Sequence, residues 1–115
     1  PDEAQVSASA EIGADAVELH TGAFANAWAK VEGRNVPNAG AAMRAELGRL
    51  ARTRDLAVRL GLDCHAGHGI TYRNVDHLVR IGPWGEFNIG HSIIARAVFV
   101  GLAEAVREMK RLMNP

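Results

Sequence analysis

Two short stretches set a histidine beside glycine where a strand-like run gives way to a helix-like one: Gly67-His68-Gly69 and Gly90-His91-Ser92. Imidazole is the side chain best suited to taking up or giving a proton near neutral pH. Glycine admits backbone angles that a Cβ forbids and lets a ligand approach the amides. At the start of a helix, unpaired N–H groups and the helix dipole favour an anion. A phosphate cradle with histidines at its rim is the chemistry the two turns could do together, although each alone reads equally as an ordinary glycine turn. Glu18 adds a carboxylate in the alternating run Asp15-Ala16-Val17-Glu18-Leu19-His20. It is a candidate acid–base or charge-stabilising group, the alternative being a buried ion pair.

His20, His65, His68 and His91 all fall at strand ends, where three ligands and a water would make a catalytic zinc site. No local pair has the spacing of a helical zinc motif, so no metal is expected. Cys64 shares the parity of the apolar strand positions and reads as a small core residue. Phe24, Trp28 and Trp84 could stack on a ligand but read more simply as packing. Arg107, Lys110 and Arg111 near the end of the last helix suit its dipole as a solvated face.

These residues need elements to hold them. Acidic Asp2 and Glu3 open a helix over 2–12, and Gly13 stops it. A strand spans 15–20, a short helix 23–30, and a turn-rich loop 32–40. Met43, Leu47, Leu50, Ala57 and Val58 recur at helical spacing over 40–60, and Gly61 ends that helix. The second strand is 62–66. Thr71 is placed to cap a helix reaching about residue 81. The third strand is 86–89, and residues 92–113 form a helix in two parts around Gly101. One helix followed by three β-turn-α units implies a parallel sheet. Each strand pairs an apolar parity (Val17/Leu19, Cys64/Ala66, Phe87/Ile89) with a polar one (Glu18/His20, Asp63/His65, Glu86/Asn88). Doubly wound sheets are apolar on both faces. A TIM barrel with a polar interior near its strand ends fits better, and this chain would be its last three βα units.

The chain has 115 residues, 48% of them apolar, with 13 basic and 13 acidic side chains. That suits one globular unit or a piece of one. Balanced charge argues against a nucleic-acid or anionic-membrane partner, and no apolar stretch nears the ~20 residues of a membrane span. One cysteine allows no internal disulfide and fits a cytoplasmic location.

Three pieces carry a resemblance: Val17-Glu18-Leu19-His20-Thr21-Gly22, the run from His65 to Asn74, and the run from Phe87 to Ala97. In this order and at these spacings they resemble the pyridoxine 5′-phosphate synthase family of bacterial vitamin B6 biosynthesis. The helical run Gly101 to Lys110 is similar too. The resemblance covers essentially the whole chain, and about the C-terminal half of that family's chain. It implies a TIM barrel that condenses 3-amino-2-oxopropyl phosphate with 1-deoxy-D-xylulose 5-phosphate, giving pyridoxine 5′-phosphate, phosphate and water. By motif position it implies that His68 is the proton donor and Glu18 the transition-state-stabilising carboxylate. It also implies that Gly69, Gly90 and His91 hold the amino-ketone phosphate. No metal or organic cofactor is implied. The partners implied are phosphorylated small molecules and further copies of the chain, with the segment 24–40 as a contact or lid. The family's other catalytic histidine and glutamate belong to the first half of the barrel. The chain is therefore expected to be a fragment, inactive alone and exposing the flank of an unclosed sheet. Two other classes remain open: a non-catalytic phosphate-binding half-barrel module, and a metal-dependent barrel hydrolase.

Overall fold

Asp2 opens the chain's first helix as expected, its carboxylate accepting from the amides of Ala4 at 2.8 Å and Gln5 at 3.3 Å. The structure is a computed structural model that describes residues 1–33 and 37–114. The elements are α1 (Glu3–Glu11), β1 (Ala16–His20), α2 (Gly22–Glu32), α3 (Ala39–Arg59), β2 (Asp63–Gly67), α4 (Val75–Arg80), β3 (Phe87–Asn88), α5 (His91–Val100) and α6 (Leu102–Met113). The loop expected over 32–40, and the contact or lid region of which it is part, include residues 34–36, which lie outside the described residues.

The strands form one parallel sheet in the order β1-β2-β3. Register sets Glu18 opposite His65, Leu19 opposite Ala66 and His20 opposite Gly67, and then Gly67 opposite Asn88. Alternation therefore divides the sheet as the sequence implies. Leu19, Cys64 and Ala66 are buried in one cluster with Phe24, Leu50, Val75, Leu78 and Met109. Glu18, His20 and Asn88 are exposed on the other face. The architecture is α/β, with helices on one side of a small parallel sheet whose polar face is open. A radius of gyration of 15.0 Å exceeds the roughly 13 Å of a closed domain this long. The chain is a slab.

Helix breaks fall where φ turns positive, at Gly13 (79°), Gly61 (80°) and Gly101 (81°). All three were marked by the sequence. Thr71, expected to cap a helix reaching about residue 81, caps none: α4 starts at Val75 and has only six residues. The reason is Asn74, which is buried. Its Oδ1 accepts from Thr71 N at 2.8 Å and its Nδ2 donates to Gly69 O at 3.1 Å, while Thr71 Oγ1 accepts from Arg73 N at 3.3 Å. These local bonds offer residues 71–74 a turn in place of the first helical turn. The strands shift slightly too. Gly67 belongs to β2, and β3 is two residues long, preceded by Gly85 N donating to Cys64 O at 2.9 Å and Glu86 O accepting from Ala66 N at 3.0 Å.

The aromatic residues pack. Phe24 is buried, Trp84 Nε1 donates to Leu78 O at 2.9 Å, and the Arg73 guanidinium lies 5.8 Å from the Trp28 ring centre. Tyr72 ties the loop after β2 to α6 by donating to Ala105 O at 2.7 Å. No helix among the described residues is long and apolar enough to cross a membrane.

Candidate active site

The loop that carries His68 is fixed by two buried residues, Thr21 and Asn74. Thr21, fully buried just after β1, donates its amide to Gly67 O at 2.8 Å. Its hydroxyl lies within donating distance of both Gly67 O (2.9 Å) and His68 O (2.6 Å). Asn74 holds the carbonyl of Gly69. Under these restraints His68 itself takes φ 83° and Gly69 takes 75°. A left-handed histidine is uncommon and persists only where its surroundings fix it, as they do at many functional sites.

The two glycines thus divide the work differently from the sequence expectation. Gly69 supplies the positive φ, and a Cβ there would lie 2.7 Å from Ala25 Cβ. Gly67 is not left-handed; it is a strand residue. Its missing side chain makes room for the Glu18 carboxylate, into which a Cβ would run. Glu18 is held from the other side by Asn88, whose Nδ2 donates to Glu18 Oε2 at 2.6 Å.

The turn after β3 is built more simply. Gly90 precedes α5, no side chain caps that helix, and Gly90, His91 and Ser92 at its start border the cleft. Ser92 reaches across instead, donating to Ile70 O at 2.8 Å and joining the two loops. The other half of the paired expectation fails. The turn at 67–69 does not lead directly into a helix N-terminus, because the Asn74 turn intervenes.

Glu18, His68, Gly69, Gly90 and His91 border one cleft of about 580 Å³ at the carboxyl ends of the three strands, together with His20, Thr71, Asn88 and Ser92. His65 stays outside it, with Nε2 3.1 Å from Asp63 and Nδ1 3.9 Å from Glu86. Among the described residues, no three His, Cys, Asp or Glu side chains are grouped to hold a metal ion. Nor does a lysine or arginine among them border the cleft. An anion there would meet amides and imidazoles, with one carboxylate in reach for the opposite charge.

Among the polar residues of this cleft, Asn88 is absent from the sequence candidates, and His20 stands among them only as a strand-end histidine for zinc. Asn88 could have been found from register, since the polar parity of β3 brings it beside the strand that Glu18 leans over. His20 could have been found the same way: it stacks on His68, ring centres 4.1 Å apart and 27° from parallel. Cys64 takes no part. Burial, with Asp63 adding and Arg54 opposing, pushes its thiol up to about 11.

These features define a parallel α/β protein whose polar, histidine-bearing cleft lies at the carboxyl ends of its strands, the usual ligand position in such sheets. The chain belongs to the pyridoxal phosphate biosynthesis protein PdxJ family, which matches it over residues 1–115. It is 48% identical over 113 residues to the pyridoxine 5'-phosphate synthase of Sulfurihydrogenibium sp. (strain YO3AOP1), covering 98% of this chain and 42% of that protein. It is 50% identical over 114 residues to the protein of that name from Magnetococcus marinus, covering 99% and 43%. For that of Syntrophotalea carbinolica the figures are 51% over 115 residues, covering 99% and 44%. The chain spans less than half the length of these relatives.

Proposed function

We propose that these residues form the last three βα units of a (β/α)8 barrel, a single domain of which residues 1–115 are the C-terminal part. The complete protein is then a cytoplasmic, homo-oligomeric pyridoxine 5′-phosphate synthase. It condenses 3-amino-2-oxopropyl phosphate with 1-deoxy-D-xylulose 5-phosphate. The observation that carries this reading is the convergence of Glu18, His68, Gly69, Gly90 and His91 from three βα junctions on one cleft.

Ring formation needs an imine, loss of water and aromatisation, and each of these moves protons. His68 donates one. Glu18, braced by Asn88, stabilises the positive charge that develops as the imine and its successors form. The amides of Gly69, Gly90 and His91 hold the amino-ketone phosphate, which fixes the amine relative to the incoming ketone. Turnover belongs to a chain that also carries the part of the relatives' length not spanned here, so the 115 residues alone are expected to be inactive.

The test is to supply the full-length protein with the two substrates and assay pyridoxine 5′-phosphate. Product formation at enzymatic rates supports the reading. A folded full-length protein that forms none would end it.

A further inference from the structure

Gly22, the first residue of α2, lies against two imidazoles. A Cβ on it would come within 2.6 Å of His20 Cε1 and 3.1 Å of both His20 Nδ1 and His68 Cδ2. Its amide donates to His20 Nδ1 at 3.3 Å. The two rings stack on each other. Room, hydrogen bond and stacking together describe a slot built for a pair of rings.

We propose that His20 is the positioning residue of the synthase reaction. It serves as a platform ring, anchored by the Gly22 amide, that fixes the plane of His68 and leaves the mobile proton of the pair to His68. This rests on the synthase reading above. A neutral histidine has one ring N–H, and an Nδ1 that accepts from a backbone amide places that proton on Nε2. Adding a second proton to His20 would set an N–H against the Gly22 N–H. His68 is held through its backbone carbonyl and its ring face, and its ring borders the cleft. Two stacked imidazolium ions would repel at this separation, whereas the face of an uncharged ring favours a neighbouring cation. The geometry therefore leaves the mobile proton, beyond the one N–H each neutral ring carries, to the ring aimed by the left-handed turn.

The charged and titratable groups around the pair fit this division. Glu18 from β1 and His91 from α5 border the same cleft, and Asp2 of the α1 cap shares with Glu18 and His20 a depression on the open flank of β1. The carboxylates lie near both rings, and the Gly22 amide occupies the His20 nitrogen that a second ring proton would need.

Two substitutions in the full-length protein separate ring from acceptor. His20→Asn keeps an acceptor for the Gly22 amide and removes the ring; His20→Phe keeps the ring and removes the acceptor. Nitrogen-15 NMR of the histidines is expected to find His20 in the Nε2–H tautomer at neutral pH. The His20→Asn protein should lose about tenfold in kcat, with KM for both substrates within about twofold, and His20→Phe should recover most of that loss. An Nδ1–H tautomer at His20 would overturn the proposal. So would an unchanged kcat in His20→Asn, or a rise in KM with kcat intact, which would make His20 a substrate contact. If the wild-type protein has no synthase turnover, the synthase reading fails separately, and the tautomer still decides whether His20 is anchored as described.

Discussion

The two glycine–histidine turns look alike in sequence and are unlike in the folded chain. The one at 67–69 is held by Thr21, Asn74 and the close approach of Ala25, and it forces its histidine into a left-handed conformation. The one at 90–92 is open. A Cβ on Gly90 would meet nothing within 4 Å, and the turn passes straight into α5, which buries none of its residues. The first turn aims a side chain, and the second presents amides. A rigid loop suits a group that must meet a reacting atom in one orientation. A helix start suits an anion, which needs donors more than one fixed side-chain angle.

The largest effect should come from removing the aimed group while keeping its turn. Asparagine tolerates the left-handed region better than most residues, and position 68 is exposed. His68→Asn in the full-length protein should therefore fold normally and keep its KM for the amino-ketone phosphate. Its kcat should fall by roughly 10²–10⁴-fold, the range for loss of a general acid. Steady-state kinetics beside a thermal melt would check this. A loss of less than fivefold would assign the proton to another group.

The next contrast is in stability. Gly69→Ala places a Cβ at positive φ and against Ala25, a conflict between two fixed backbones that should cost about 1–3 kcal/mol. Gly90→Ala, at φ −107° in open space, should change stability by less than about 0.5 kcal/mol. Urea denaturation of the two variants measures the difference. Equal losses would mean that the two turns are not held differently after all.

Much of this was legible in the sequence. Period-two alternation gave the strands and their faces, because a small parallel sheet with one polar side leaves the pattern intact. Glycines marked the helix ends, since φ there turns positive. What was misread depended on side chains bonding to backbone across a few residues. Thr71 has the type of a helix cap, but the buried Asn74 recruits its amide into a turn, and residue type alone does not reveal which of the two wins. Gly67 has the type of a turn glycine and is instead a gap for Glu18, a fact visible only once β1 and β2 are in register. His20 lies 48 residues from its partner His68, and Asn88 lies 70 from its partner Glu18, so nothing local links either pair.

Asn88 tests the Glu18 side of the rigid region. Its amide is the one side chain among the described residues that hydrogen-bonds the Glu18 carboxylate. Asn88→Ala should leave the carboxylate in place over Gly67 but less well oriented. Turnover should fall by about tenfold, while stability changes by about 0.5–1.5 kcal/mol, the net worth of one hydrogen bond. Asn88→Ser, which can still donate at shorter reach, should fall between wild type and Ala. If Ser and Ala behave alike and both match wild type, Glu18 is held by Gly67 packing alone.

The smallest effect separates the two regions by pH. Beside the first turn, the buried Cys64 stays a thiol up to about 11, against an ordinary value of 9.0. A raised thiol leaves stability intact below pH 9 and erodes it as the unfolded chain ionises between 9 and about 11. Beside the second turn, α5 is joined to α6 by Arg96, whose Nε and Nη2 donate to Glu108 at 2.7 and 2.8 Å. That hydrogen bond holds the Glu108 carboxyl below its ordinary 4.5. Its contribution is whole above that value and is lost as the carboxyl protonates on acidification. Acid should therefore loosen α5 and α6 first, and alkali should loosen β2. Hydrogen exchange near pH 4 should show amides of α5 and α6 losing protection before those of β2, an effect that Glu108→Gln abolishes. Thermal melts between pH 8 and 11 should show a decline that Cys64→Ala reduces, the remainder including Tyr72, whose phenol is also held above its ordinary 10.0 by burial. Because the ion pair is exposed, added salt should shrink the acid effect and leave the alkaline one nearly unchanged.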